Sequence, residues 1–254
     1  MESGNTFWAD KAALDWQIEL GADECIADAP VDRYSLAASL PKKTAAKITP
    51  ELPLSVESDP IDAARRAADS AHDLEGLRAA LAAYEHCELK KGARTLVFAD
   101  GTPKARVMII GEAPGRDEDR QGLPFVGRAG QLLDRMLEAI DMGRDRNVYI
   151  TNVLPWRPPQ NRDPKPDEIA MMKPFVERHV ALAAPDLLVV MGNISCQALL
   201  GRKGITRLRG NWTEALGKPA LPMFHPAYLL RNPAAKRDAW ADLLSLKARL
   251  RETA

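Results

Sequence analysis

The sequence predicts an α/β fold: an open, mostly parallel sheet of four to five strands with helices on both faces, preceded by a helical N-terminal extension. Two observations lead to this expectation. Short apolar runs alternate with longer helical runs from about residue 95 onward, which is typical of parallel sheets covered by helices. In addition, Gly111, Asn152, Gly192 and His225 follow or end four of the apolar runs, at the positions where open sheets bind ligands.

The N-terminal part of the chain predicts helices and a linker. Residues 7–20 have apolar positions at helical spacing and stop at a glycine, so a short helix is expected there. Residues 29–60 are rich in Pro, Ala, Ser and Lys without a sustained period, which is typical of a linker. A helical pair is then expected over about 60–71 and 74–85.

The predicted sheet follows in five apolar runs. They are Thr95–Ala99, Arg106–Ile110, Val148–Asn152, Leu187–Met191 and Leu221–Phe224. Helical runs lie between and after them. They cover residues 128–141, 166–184, 193–200 and 233–252. This order supports strands alternating with helices rather than an all-helical or all-β domain.

Charge is distributed unevenly, although the formal net charge is zero. Residues 1–85 carry 8 basic and 16 acidic side chains, whereas residues 86–254 carry 27 and 19. A basic body behind an acidic extension is typical of a protein that binds a polyanion, with chance asymmetry as the alternative. We therefore expect an acidic helical extension and linker over residues 1–75 and a catalytic α/β domain over residues 76–254.

Composition predicts a globular protein in a reducing compartment. Hydrophobic residues make up 46% and charged residues 28% of the chain, which are ordinary values. No apolar run reaches the ~20 residues of a membrane helix, and the N-terminus has no secretory signal pattern. The three cysteines are too few and too scattered for a disulfide framework. We expect a cytoplasmic protein without membrane contact.

Three strand ends carry distinctive motifs. GEAPG at 111–115 leads to PFVG at 124–127, TNVLPWRPPQNR spans 151–162, and HPAYLLRNP spans 225–233. The first loop lacks the lysine and Ser/Thr of a phosphate-binding P-loop, which argues against a nucleotide-dependent phosphotransferase or hydrolase. In these three ordered motifs the sequence resembles the family 4 uracil-DNA glycosylases, over roughly residues 84–250.

The resemblance implies a three-layer sandwich and an enzyme of base-excision repair. Such an enzyme flips uracil out of single- or double-stranded DNA and hydrolyses its N-glycosidic bond, leaving an abasic site. No lysine in the motifs suits a Schiff base, so a monofunctional enzyme is expected, acting as a monomer. A related self-cross-linking enzyme has an inserted basic loop with a histidine, and residues 116–124 contain neither. The alternative is a catalytically weak or inactive uracil- or DNA-binding member of the superfamily.

On this resemblance, the first two motifs form the uracil pocket. Phe125 stacks on the base, and the Asn152 amide pairs with the polar edge of uracil, whose donor and acceptor are reversed in cytosine. The alternatives are a core anchor for Phe125 and a turn cap for Asn152. Glu118 matches a family carboxylate position that supports the loop. The other predicted substrate-binding residues are Gly111, Ala113, Pro114 and Gly115.

The resemblance also assigns two catalytic residues. His225 donates a hydrogen bond to uracil O2, where negative charge collects as the bond breaks. Glu112 stabilises the oxocarbenium-like sugar or orients the attacking water. In the best-known branch of the superfamily an aspartate handles the water, but Ala113 stands at its position here. The alternatives are a structural histidine and a loop carboxylate that binds backbone amides.

The third motif carries the predicted DNA contacts. Either Leu229 or Leu230 is expected to enter the gap left by the flipped base, and Arg231 to meet a phosphate. Tyr228 belongs to the same DNA-binding set. Two further arginines, in GITRLRGNW, are candidates for phosphate contacts, with solvated surface as the alternative. They are Arg207 and Arg209.

The chain departs from the family at its iron–sulfur cluster. Family 4 enzymes typically hold a four-iron cluster on four cysteines, and the matching positions here are Tyr84, Cys87, Trp156 and Met172. A single thiolate cannot hold such a cluster. The three replacements are bulky and apolar or amphipathic, as expected of side chains that fill the volume of the lost cluster. We therefore expect no iron–sulfur cluster and no other metal or cofactor.

Overall fold

The computed structural model describes residues 59–252 and, ahead of them, four helical residues, 11, 13, 14 and 17. The rest of the predicted helix 7–20 lies outside the described residues, and so does the predicted linker apart from residues 59 and 60. The chain divides into two compact units, Met1–Ser55 and Val56–Ala254. The second unit is described below, and the expected domain boundary at residue 75 stays a prediction.

Within residues 59–252, six strands form one mixed sheet. They are β1 (Ala99–Gly101), β2 (Val107–Gly111), β3 (Val148–Asn152), β4 (Leu187–Met191), β5 (Thr213–Ala215) and β6 (Lys218–Met223). Their order across the sheet is β1-β3-β2-β4-β6-β5. The four central strands are parallel, and the two edge strands run antiparallel to their neighbours. The expected open, mostly parallel sheet is confirmed, and two antiparallel edges are added to it.

Strands β2 and β4 form because their residues are apolar on both faces. All five residues of VMIIG and all five of LLVVM are buried, as parallel strands covered on both sides require. Successive side chains of a strand point to opposite faces. Met108 and Ile110 accordingly enter one core, whereas Val107 and Ile109 enter the other.

Helices cover both faces of the sheet. In chain order from residue 59 they are α1 (Pro60–Asp69), α2 (Leu74–Ala83), α3 (Leu89–Gly92), α4 (Arg116–Gln121), α5 (Arg128–Glu138), α6 (Pro166–Ala183), α7 (Asn193–Leu200), α8 (Ile205–Leu208), α9 (Pro226–Arg231) and α10 (Lys236–Glu252). Helices α5 and α10 share a core with Ile109, and α6 and α7 share the other core with Ile110. The sheet therefore lies between two helical layers, as the three-layer expectation required.

The predicted first strand, Thr95–Ala99, begins later than expected, and edge strand β5 and several short helices were not predicted. Thr95 lies in a loop before the first strand, and its hydroxyl donates to the Asp119 carbonyl oxygen (2.6 Å). The strand itself begins only at Ala99. Edge strand β5 has three residues, and α3, α4, α8 and α9 have four to six. Elements this short contain too few turns or alternations to produce a recognisable period.

A third core joins the first two helices to α6. Ala64 and Ala68 of α1 and Leu77 and Leu81 of α2 pack with Met172. Helix α2 begins where it does because the carboxylate of Asp73 accepts a hydrogen bond from the Gly76 amide at 2.7 Å, as a helix N-cap should. Among the described residues, no helix is long and apolar enough to cross a membrane.

Candidate active site

The three motifs meet at one cavity of about 280 Å³ beyond the carboxyl ends of the central strands. Parallel strands end at the same edge of a sheet, so residues far apart in the sequence come together there. The cavity wall contains predicted residues from every motif: Glu112, Ala113, Pro114, Gly115, Phe125, Asn152, His225 and Arg231. Ala227 of the third motif also lines the cavity, although it was not a predicted site residue. An adjoining groove of about 360 Å³ shares Glu112, His225 and Arg231 and continues to Tyr228.

Phe125 occupies the cavity wall in an uncommon backbone conformation. Its φ of 55° lies in the left-handed region that non-glycine residues rarely adopt. Its ring is stacked on that of His225, with centroids 5.3 Å apart and an interplanar angle of 28°. A Cβ on Gly111 would lie 2.5 Å from Phe125 Cζ, so only glycine leaves room for the ring at this point of β2.

A carboxylate supports the loop that carries Phe125. Glu118 accepts hydrogen bonds from the backbone amides of Gly115 (3.1 Å), Val126 (3.0 Å) and Gly127 (2.8 Å). Its two oxygens therefore join the two halves of the first motif. This is the supporting role that the resemblance implies for Glu118.

Asn152 lines the cavity, and one of its polar atoms has no hydrogen-bond partner among the described residues. The residue is 6% exposed, and its Oδ1 is buried without a hydrogen-bond partner among the described residues. Buried polar groups are nearly always paired, and leaving one unpaired costs about 1–3 kcal/mol. An acceptor kept free at this expense is suited to a ligand that brings a hydrogen-bond donor, such as the N3–H of uracil.

His225 is held as a neutral donor. Its Nδ1 accepts a hydrogen bond from the Ala227 amide (3.2 Å) at the start of α9. In the neutral ring the proton then resides on Nε2, which is left as a donor. Burial, together with the nearby Arg231 cation, lowers the pKa of His225 to about 4, so the ring is neutral at physiological pH.

Glu112 is an acid with a raised pKa. Burial is the larger cause and the charge of Asp163 the second, while Arg231 opposes them, and the pKa of Glu112 is raised to about 7. Near neutral pH the side chain therefore exists in both protonation states. Such a carboxyl group can exchange a proton with water at the pH at which an enzyme works.

The sequence reasoning missed polar residues at the end of the second motif. Asn161 lines the cavity beside Glu112 and His225, and its Oδ1 accepts a hydrogen bond from Arg157 Nε (2.7 Å). Asp163 lines the adjoining groove. The signal available for both was their place in PPQNRDP, which overlaps the end of the second motif and continues past it, but no local pattern indicated that this loop returns to the cavity.

The predicted DNA contacts lie in different surroundings. Leu229 is 1% exposed, whereas Leu230 is 38% exposed. Tyr228 is partly buried and stacked on Phe224, with centroids 4.8 Å apart. Arg231 is exposed at the cavity rim.

The two arginines of GITRLRGNW also differ from each other. Arg207 is exposed. Arg209 instead pairs with Asp242, which is 1% exposed: its Nε lies 2.9 Å from Oδ2, and its Nη2 contacts Oδ1. The guanidinium group also lies 5.7 Å from the centre of the Phe224 ring. The guanidinium group of Arg209 is thus bound within the fold, whereas Arg207 is exposed and accessible to a partner.

The four positions of the family's cluster cysteines come together in the third core. Tyr84, Cys87, Trp156 and Met172 are all buried there, at 5% exposure or less. The Tyr84 hydroxyl donates to the Pro60 carbonyl oxygen (2.8 Å), and burial raises the pKa of the Cys87 thiol. A four-iron cluster requires four thiolate ligands, and these residues do not fit it. Within residues 59–252 no group of three or more His, Cys, Asp or Glu is arranged to hold a metal ion.

Comparisons with known proteins place these motifs in context. Residues 98–244, which include all three, match the family model described as the uracil DNA glycosylase superfamily. The chain is 37% identical over 184 residues to the type-4 uracil-DNA glycosylase of Sulfurisphaera tokodaii, covering 68% of this chain and 83% of the relative. It is 41% identical over 149 residues to that of Thermotoga maritima (58% and 77% covered) and 38% over 165 residues to that of Archaeoglobus fulgidus (61% and 82%).

Proposed function

This chain belongs to the uracil-DNA glycosylase superfamily, and on that basis we propose that it is a monofunctional uracil-DNA glycosylase. It hydrolyses the N-glycosidic bond of uracil in single- or double-stranded DNA, leaving an abasic site and free uracil for base-excision repair. The names of the type-4 relatives support this activity. The proposed working form is a cytoplasmic monomer, with its catalytic domain over residues 76–254 and an N-terminal extension over residues 1–75.

The observation that carries the proposal is the Oδ1 of Asn152, which has no hydrogen-bond partner in the part of the chain that the structure describes and lies beside the Phe125 ring. A flipped uracil stacked on Phe125 offers its N3–H to Oδ1 and its O4 to the amide nitrogen of the same side chain. Cytosine has an unprotonated N3 and an amino group at C4, so both contacts become mismatched. A mismatch that leaves buried polar groups unpaired discriminates strongly in a site built to form those hydrogen bonds.

His225 stabilises the leaving group in the proposed reaction. As the C1′–N1 bond breaks, its electron pair moves onto the uracil ring and negative charge collects on O2. The Nε2–H of a neutral imidazole, held by the Ala227 amide on the other side of the ring, donates to that oxygen. A donor fixed before the reaction begins needs no reorganisation during it, which is the source of its catalytic effect.

Glu112 completes the reaction with water. Its ionised form stabilises the positive charge that develops on the sugar and accepts a proton from the water whose oxygen bonds to C1′. The departing uracil anion later takes up a proton from solvent, so the products are neutral uracil and an abasic sugar. The pKa of about 7 supports a carboxyl group that releases and takes up this proton near neutral pH.

The DNA strand is held along the adjoining groove. Leu230 is the proposed wedge that fills the place of the flipped base, because it is exposed whereas Leu229 is part of the core. Arg231 and Arg207 are the proposed phosphate contacts, since both are exposed, and Tyr228 lies along the groove. Arg209 was predicted to bind phosphate as well, but its pairing with Asp242 supports a role in holding the Phe224 region.

No iron–sulfur cluster is part of the proposed enzyme. The matching positions offer one thiol among three side chains that cannot replace cysteine as ligands. We propose that Tyr84, Trp156 and Met172 pack together and stabilise the same region of the fold that the cluster stabilises in relatives that hold one. The reaction proposed above uses only residues of this chain.

Oligonucleotides with a single uracil test the proposal. Incubation of the protein with single-stranded, U:G and U:A substrates, followed by alkali, should break the strand at the uracil in at least one of them. Asn152→Asp should lose most activity, because a carboxylate cannot donate to O4. Asn147→Asp is the matched control, since Asn147 is exposed and its Oδ1 accepts from the Gly143 amide, as an aspartate also would. Binding of uracil-DNA without any cleavage would instead indicate the inactive, DNA-binding alternative.

A further inference from the structure

We propose that Arg144, which lies outside the three motifs, is a positioning residue that fixes the Phe125 ring for stacking on the flipped base. The inference rests on the proposed function, because it assigns a role in the same pocket. Arg144 lies between α5 and β3 and does not line the cavity. It acts through the backbone of the loop that carries Phe125.

All five N–H donors of the Arg144 guanidinium are used. Nη1 donates to the Pro124 carbonyl oxygen (3.1 Å) and Nη2 to the Phe125 carbonyl oxygen (2.8 Å). The remaining donors meet two carboxylates: Nη1 binds Asp100 Oδ2 (2.6 Å), and Nε and Nη2 bind Asp134 Oδ1 (3.0 and 2.8 Å). Two successive carbonyl groups of the loop are thus held by one planar group, which is itself fixed by strand β1 and helix α5.

The loop needs such support because of the conformation of Phe125. A φ of 55° is unfavourable for a phenylalanine and persists only where the surroundings impose it. Gly130 leaves space for the carbonyl: a Cβ there would lie 1.7 Å from the Phe125 oxygen. On the other side, the Glu118 carboxylate binds the amides of Val126 and Gly127. Arg144 therefore holds the carbonyl oxygens of the two peptide units that flank the Phe125 Cα atom, and Glu118 holds the N–H of the second unit and that of Gly127. Together they set the direction of the ring.

Lysine cannot reproduce this arrangement. Its ammonium group is a compact charge with three donors, whereas the five contacts of Arg144 require a planar fork. Arg144→Lys keeps the charge between Asp100 and Asp134 but releases at least one of the two loop carbonyl groups. The Phe125 backbone is then free to leave the left-handed region, and the ring loses its orientation toward the base.

Single-turnover excision of uracil measures the effect on the pocket. Arg144→Lys should lower the maximal rate on the order of 10- to 100-fold, as a misplacement of about 1 Å in an active site does. Asp134→Asn, which keeps an acceptor oxygen but removes the negative charge of one partner of the guanidinium at a half-exposed position, should cause a smaller loss in the same direction. Arg178→Lys is the matched control, because Arg178 also binds a carbonyl oxygen, that of Ala71, through two N–H groups at partial burial. It should keep the wild-type rate.

A double-mutant cycle and hydrogen exchange separate positioning from general stability. In a Phe125→Leu background, Arg144→Lys should cause no further loss, because there is no ring to orient. Amides of residues 122–130 should exchange faster in Arg144→Lys and Asp134→Asn than in the wild type and in Arg178→Lys, in the protein without DNA. Equal exchange, or an undiminished effect in the Phe125→Leu background, would overturn the inference. Lack of uracil excision by the wild type would refute the proposed function instead. The exchange measurement would still test whether Arg144 holds the loop that carries Phe125.

Discussion

Gly111 and Asn152 are register partners at the ends of two adjacent parallel strands, and a Cβ on Gly111 would lie 2.5 Å from the Asn152 Oδ1 atom. The same Cβ would lie 2.5 Å from Phe125 Cζ. The proposed base-reading amide and the proposed stacking ring are therefore both packed against the backbone of one glycine. The first motif begins with glycine because two site residues from other segments approach it closely.

Gly111→Ala should strongly lower the rate of excision while the protein stays folded. The added methyl group must displace either the ring or the amide, and a shift of about 1 Å costs about 100-fold in rate. Single-turnover kinetics and thermal melting test this. Gly92→Ala is the matched control, since a Cβ there would meet nothing within 4 Å. A Gly111→Ala enzyme as fast as the wild type would mean that Phe125 and Asn152 do not act from the positions described.

His225→Ala should slow the chemical step more than it weakens DNA binding. Its Nε2–H matters mainly once charge reaches O2, so its removal should raise the activation barrier by about 2–4 kcal/mol. Because the pKa of His225 is lowered to about 4, the ring stays neutral from pH 5 upward and no rate change in that range should be due to it. His72→Ala, at an exposed histidine, should leave the rate unaltered. Wild-type single-turnover rates in His225→Ala would exclude the histidine as the donor.

The excision rate should rise with pH through about 7, because the ionised form of Glu112 is the active one and its pKa is raised to about 7. Glu112→Gln should be slow at all pH values and should lack this rise. A pH profile between 5 and 9 for both proteins makes the comparison. A Glu112→Gln enzyme with the wild-type profile would show that another group titrates.

The same raised pKa has a consequence for stability. The folded-state pKa of Glu112 is above its unfolded value of 4.5, so the folded protein binds the proton more tightly and stability is lost as pH rises from about 4.5 through about 7. Glu112→Gln removes this loss and should be more stable than the wild type at pH 8 by about 1–3 kcal/mol, a figure reduced for partial solvent exposure. Denaturant unfolding at pH 5 and pH 8 measures it. An equal difference between the two proteins at both pH values would contradict the assigned titration.

Leu230→Ala and Leu229→Ala should differ in kind. Leu230→Ala should lower excision from duplex DNA more than from single strands, since a wedge is needed only where a base pair is opened, and its melting temperature should not change. Leu229→Ala should lower the free energy of unfolding by about 2–5 kcal/mol, because Leu229 is part of the core. Excision assays on both substrates and thermal melts distinguish the two. The opposite pattern would make Leu229 the wedge.

The purified protein should be colourless: it should contain no iron and should lack the absorption at about 400 nm that iron–sulfur proteins show. Chelators should change neither its melting nor its activity, because no folding free energy depends on a metal. Trp156→Ala should instead lower the free energy of unfolding by about 3–5 kcal/mol. The reason is that Trp156 is 2% exposed in the third core, where the four positions of the cluster cysteines lie. Trp240→Ala, at a 43% exposed tryptophan, is the control. A brown, iron-containing preparation would refute the prediction.

The central strands and the pocket motifs were predictable from local pattern. Buried parallel strands such as β2 and β4 are apolar at every position, and this property is visible in VMIIG and LLVVM without any knowledge of neighbours. The carboxyl ends of parallel strands lie at one edge of the sheet. Parallel strands that are close in the sheet therefore bring together the residues that follow them, which here are GEAPG, Asn152 and His225. Edge strand β5 was missed because three residues with two exposed side chains have no distinctive pattern.

What the sequence by itself determined was the class of fold, the edge of the sheet at which the site lies, and the residue types that the site contains. Only the tertiary structure decided that Leu230 is exposed and Leu229 buried, that Arg209 pairs with Asp242, and that Arg144 holds the carbonyl oxygens of the Phe125 loop. The reason is the range of the interactions. A strand or a helix is recognised by the spacing of its own apolar residues, whereas Arg209 and Asp242 are 33 positions apart and Arg144 and Phe125 are 19 positions apart. The packing of the cores decides which distant side chains come close enough to pair. The spacing of apolar residues along a short segment contains no information about such pairs.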